Sequence, residues 1–186
     1  MTDRIFLSLW LRGYSQANML QMLGRVLERL PVSVHDRAAS LRVFAMELIE
    51  PALIERHFEE AEVDEIILAA RDFDNPDYAY EVDLRWDLWE KLDTWKLTPN
   101  QLRVTAFGPE FPSDMGEHLL IDFGQEYLYL PGENEKPNWT ALRSNIRSVL
   151  RLVSDCEDAL PIAKRLLWSD SGEDLADRIE AALGDS

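Results

Sequence analysis

Hydrophobic positions change period several times along this chain, and each change marks an element. Ile5, Leu7, Leu9 and Leu11 alternate with Phe6, Ser8 and Trp10, which predicts a strand over 4–11 with one apolar and one mixed face. Ser15 then opens a helix. Its hydroxyl is placed to cap the first-turn amides, Tyr14 and Met19 stand at the flanking staple positions, and Met19, Leu20, Met22, Leu23, Val26, Leu27 and Leu30 recur at helical spacing up to Pro31. The run Leu41–Ile49 predicts a second strand, so 4–49 reads as β-α-β. Pro51 can open a helical turn, Leu53 and Ile54 could equally belong to an irregular segment, and Val63, Ile66, Ile67 and Ala70 predict a short helix over 63–71.

Past the turn-forming stretch Asp72–Asp77 comes the clearest alternation in the chain. Tyr80, Val82, Leu84, Trp86 and Leu88 alternate without error with Glu81, Asp83, Arg85 and Asp87, the pattern of an antiparallel strand with one dry and one wet face. Further strands are predicted at 102–107 and 119–123, with Glu126–Leu130 pairing back through a tight turn at Gly124-Gln125. From Pro137 the pattern is helical. Trp139, Leu142, Ile146, Val149, Leu150 and Val153 form one stripe behind the cap Asn138, Leu160, Ala163, Leu166 and Leu167 predict a second helix near 157–168, and a last helix starts at Ser171 with Asp174 at capping-box spacing. Strands in the middle (78–130) and helices at the end (138–183) predict an α+β fold. It is expected as one domain over 1–186, with an antiparallel or mixed sheet of five to six strands and helices on one face.

Composition agrees with a single packed core: 186 residues, 46% hydrophobic, with six Trp, seven Phe and five Tyr. The opening apolar run is closed by Arg12 without a small-residue cleavage pattern, so it reads as a strand and not a signal peptide. No apolar run approaches the length of a bilayer span, and the single cysteine, Cys156, suits a reducing compartment. A cytoplasmic location is therefore expected, in which the sequon Asn138-Trp139-Thr140 has no consequence.

Charge narrows the partners. The net charge is −16, unevenly spread: residues 1–46 carry six Arg against three acids, residues 47–135 carry 23 acids against six Lys/Arg, and residues 136–186 carry nine against seven. Such a field repels nucleic acid and anionic membrane and favours cationic partners.

Motifs for common chemistries fail physical checks. No glycines lie close enough to wrap a phosphate; Asp122-Phe123-Gly124 lacks every companion motif of a kinase and reads as a turn; no Gly-x-Ser-x-Gly elbow occurs. Cys156 sits between Asp155 and Glu157, which disfavour its thiolate. His57 has no helical His partner for zinc. Asp72, Asp74 and Asp77 form the best hard-cation candidate, but Pro76 interrupts the calcium-loop pattern, so no cofactor or metal is expected.

Two surfaces remain. Arg143, Arg147 and Arg151 lie at i, i+4, i+8 on one side of the 138–153 helix, able to hold an anion or a partner's carboxylates, or to meet the protein's own acidic middle. Trp89 joins Glu81, Asp83, Asp87 and Arg85 on the wet face of the 80–89 strand, an aromatic anchor among charges, unless a helix covers it. These features point to a non-enzymatic module whose acidic, aromatic surface engages a basic protein, as an immunity-type inhibitor or an adaptor would. The alternatives are a small metal-dependent enzyme built on Asp72, Asp74 and Asp77 with His57, and a homo-oligomer joining arginine stripe to acidic face.

Overall fold

The alternation over Tyr80–Leu88 becomes the centre of a seven-stranded antiparallel sheet in the computed structural model, which describes residues 3–132, 136–172 and 174–184. The elements in chain order are β1 (Arg4–Leu11), α1 (Gln16–Leu27), β2 (Ala39–Phe44), β3 (Ile54–Phe58), α2 (Val63–Arg71), β4 (Ala79–Lys91), β5 (Trp95–Phe107), β6 (Leu119–Gln125), a 3-10 turn (Glu126–Leu128), α3 (Trp139–Ala159), β7 (Ile162–Ser169) and α4 (Leu175–Gly184). Strand order is β3-β2-β4-β5-β6-β1-β7. Every pairing is antiparallel, so β1 and β2 run in the same direction with β4, β5 and β6 between them. The β-α-β start is thus a wide crossover.

Register explains the two faces. Leu41, Val82, Val104, Ile121, Leu7 and Leu167 are successive cross-strand partners, and this row lies on the inner face. All four helices contribute buried residues to the same core, among them Leu23, Ile66, Ile146 and Ile179. Tyr80, Val82, Leu84, Trp86 and Leu88 are all buried there, as period 2 requires.

Four details differ from the sequence reading. The sheet has seven strands instead of five to six. Residues 162–169, expected as helix, form edge strand β7, because Leu166 and Leu167 face opposite sides of a strand and only Leu167 packs on the core. Residues 126–130 do not form a strand: Gly124 adopts φ 88°, and a 3-10 turn follows at Glu126–Leu128. Strand β2, expected to run to Ile49, ends at Phe44, and Ile54–Phe58, where no strand was expected, returns beside it as β3.

Beyond the end of β2, the outward edge of β4 is closed by side-chain chemistry. Asn145 of α3, 1% exposed, accepts from the Trp89 amide at 2.9 Å and donates to the Trp89 and Leu128 carbonyls at 2.8 and 2.7 Å. It does for this edge what a neighbouring strand would do. Asn145→Leu keeps the volume but leaves three backbone groups without these partners. A loss of about 2 kcal/mol or more is expected, read as a lowered denaturant midpoint, against about 1 kcal/mol for removing the α3 cap with Asn138→Ala.

Candidate protein-binding surface

The outer face of the sheet divides into three zones. Its centre is an ion-pair lattice set by strand register. Ser40, Asp83, Arg103, Asp122 and Phe6 are cross-strand partners in one row, and Arg42, Glu81, Thr105, Leu120 and Ser8 in the next. Opposite charges therefore fall side by side or on the diagonal. Arg42 holds Glu81 and donates to Asp83 at 2.9 Å; Arg103 donates to Asp83 at 3.0 Å and lies 3.6 Å from Glu81; Gln101 also donates to Asp83. Arg4 holds Asp122 at 2.8 Å, and Asp122 also accepts from the Gly124 amide at 2.9 Å. Burial pushes the Glu81 carboxyl above its ordinary pKa, with Arg103 and Arg42 opposing the rise.

This lattice corrects the expectation that the wet face of β4 offers free acids. Glu81 is on the expected face but only 5% exposed, and it and Asp83 are taken by arginines. Asp87 accepts from the Ser33 hydroxyl at 2.6 Å and the Val34 amide at 3.2 Å. Arg85 turns instead toward Asp36, 3.9 Å away. Trp89 remains 36% exposed on the outer face, opposite Leu97, with its backbone held by Asn145 of α3.

Beyond the lattice toward Trp89 lies the second zone, the solvent-facing half of the β4–β5 ribbon, with Trp89, Trp95 and Leu97 on one side. The third zone lies at the opposite end. There the loops 45–53, joining β2 to β3, and 108–118, joining β5 to β6, fold over the outer face on a small second core of Phe44, Ala79, Phe107 and Phe111. Gly108 permits this closure: a side chain at that position would meet the Pro76 carbonyl oxygen at 2.1 Å.

Between the loops lies a depression of about 470 Å³ lined by Leu48, Ile49, Phe107, Phe111, Pro112 and Leu120, with Glu47, Asp114 and Glu117 around it. Ile49 is 89% exposed and Met46 65%. The two loops carry five carboxylates (Glu47, Glu50, Glu110, Asp114 and Glu117) and neither lysine nor arginine. Only Glu117 is buried, accepting from the Met115 amide at 3.0 Å.

The remaining candidates do not converge. Asp72 pairs with Arg56 at 3.4 Å, Asp74 accepts from Gln16 at 3.4 Å, and His57 lies 3.5 Å from Glu55. Among the described residues no group of three or more His, Cys, Asp or Glu is placed to hold a metal ion. Arg143 donates to the Ala182 carbonyl at 2.8 Å and covers the Trp139 ring, while Arg147 and Arg151 are exposed and none of the ion pairs among the described residues involves them. Among the described residues, Arg147 and Arg151 therefore form no ion pair with the acidic middle. Cys156 is fully buried, its thiol pushed up to about 12 by burial and by Asp155. No described helix is long and apolar enough to cross a membrane.

The loop depression escaped sequence reading because Met46, Leu48 and Ile49 extend an apolar run that looks like strand interior. Glu47, Glu50 and Pro51, interrupting that run, are the signal that marks the chain's departure from the sheet. Comparisons of the chain with protein-family models, curated proteins and solved structures return no match.

The lattice has a testable energetic consequence. Arg103→Leu removes one of two cations from the buried Glu81, and at neutral pH it should lower stability by about 2 kcal/mol, discounted for the partial exposure of Arg103. Because the folded state binds the Glu81 proton more tightly than the unfolded chain, acidification from about pH 7 toward about pH 5 neutralises Glu81 in the folded variant first. The deficit relative to wild type should therefore shrink as pH falls. Urea unfolding of both proteins across that range checks it, and a deficit that grew with acid would contradict the assignment.

Proposed function

We propose that this protein works by binding rather than catalysis, engaging a basic protein partner through the acid-rimmed depression between loops 45–53 and 108–118. The observation that carries the reading is the apolar lining shared by Leu48, Ile49 (89% exposed), Phe107, Phe111 and Leu120, between loops that hold acids and no Lys or Arg. Isolated exposed apolar residues are ordinary, but a contiguous apolar patch rimmed by one sign of charge is characteristic of a protein-recognition surface. The apolar centre supplies contact area. The carboxylates attract the partner and repel acidic competitors.

The acids on β4 support the fold instead, so they do not contribute to this surface as free charges. Trp89 stands on the same face beyond the lattice and can extend the contact only for a partner broad enough to span it. An inhibitor of a basic enzyme and an adaptor for a basic protein both fit this chemistry.

The test is a charge reversal at exposed positions. Glu47→Lys, Glu50→Lys and Asp114→Lys combined should leave the melting temperature within a few degrees, since exposed charges contribute about 1 kcal/mol or less each. Quantitative capture from native lysate should return basic proteins on the wild-type chain that are missing from the reversed variant. Equal recovery on both would contradict the reading.

A further inference from the structure

Next to the apolar depression lies a second one, of about 300 Å³, whose lining includes Leu48, Glu50, Glu55 and Glu81 together with Arg42 and Arg103. Leu48 lines both and forms the ridge between them. In the second depression Arg42 and Arg103 are committed to Glu81 and Asp83, which leaves Glu50 and Glu55 as the surplus charge. Glu55 stands opposite Arg42 in the β2–β3 register and has exposed His57 at 3.5 Å, and among the described residues neither Glu55 nor Glu50 forms an ion pair with a lysine or arginine. The two sites thus differ in kind: one is apolar, floored by Phe107 and Phe111, and the other is anionic.

We infer that the occupant is a short exposed segment of the partner presenting a bulky apolar side chain next to a lysine or arginine. This rests on the binding reading above. The apolar side chain enters the larger depression against Ile49, Phe111 and Leu120, while the cation crosses Leu48 to reach Glu50 and Glu55. A long Lys or Arg stem suits that crossing, because its methylenes lie along the apolar ridge while its charged head stays with the carboxylates. An acidic segment is rejected by Glu47, Glu50 and Glu55 together. An apolar segment without a cation leaves the Glu50–Glu55 site unmatched and gains nothing there.

A library of random twelve-residue peptides displayed on phage, panned against the full chain at low salt, tests the inference directly. Enriched peptides should pair an apolar residue with Lys or Arg within two positions. The best of them, synthesised, should lose at least about tenfold in affinity on Ile49→Asp and on Glu50→Lys with Glu55→Lys, the size expected of a central contact. It should also weaken with rising salt for the wild type and hardly at all for the charge variant. These residues are exposed, and circular dichroism melts confirm that the variants fold. Enrichment of peptides lacking the apolar–basic pairing, no enrichment at all, or winners indifferent to both variants would overturn it. If the triple charge reversal above still abolishes capture of basic proteins while no such peptide is enriched, the binding reading stands and only the proposed segment falls.

Discussion

Strands β4 and β5 are paired over thirteen residues each, from Ala79↔Phe107 to Lys91↔Trp95 without a slip, and almost everything else in the molecule is placed by that register. On one side it aligns Val82 with Val104 and Leu84 with Leu102, creating the apolar floor on which the helices pack. On the other it aligns Asp83 with Arg103 and Glu81 with Thr105. A shift by one residue would exchange the two faces and bury four charged side chains of β4 against the helices, a penalty that fixes the register strongly.

The outer face then presents a problem that its arginines solve. Carboxylates sitting within a sheet and under loops are costly unless paired. Arg42 from β2, Arg103 from β5 and Arg4 from β1 each reach in from a neighbouring strand to neutralise Glu81, Asp83 and Asp122. In a chain with net charge −16, the acids of the lattice are thus neutralised by arginines of neighbouring strands. The chain's surplus negative charge is displaced to segments outside the strands, including the two loops that frame the apolar depression.

Sequence pattern disclosed the parts of the fold whose two sides meet different solvents. The core half of β4 has an apolar and a charged side, so its alternation is plain, and β1 alternates between wholly buried Ile5, Leu7, Leu9 and Leu11 and a mixed outer side. The outer half of β5, with Lys96, Pro99 and Asn100, lacks a buried face over most of its length and shows no alternation, and the short edge strand Ile54–Phe58 is exposed through its middle. Strand β7 misled for a related reason. At a sheet edge its apolar residues need not alternate, and Leu160, Ala163, Leu166 and Leu167 imitate helical spacing. The site was less legible than the fold. Carboxylates of β4 look free when partners on β2 and β5 are unknown, and the apolar residues of loop 45–53 look like strand until Phe44 is seen to end it.

The partition of carboxylates into neutralised strands and available loops is the point on which the functional reading depends. Carbodiimide-driven amidation of the native protein, followed residue by residue with mass spectrometry, measures it directly. Glu47, Glu50 and Asp114 should be modified at rates close to those of the unfolded chain, while Glu81 and Asp122 stay protected until the protein unfolds. Modification of Glu81 and Asp122 as fast as the loop acids would show that the lattice does not hold them, and that the sheet face itself carries the free charge.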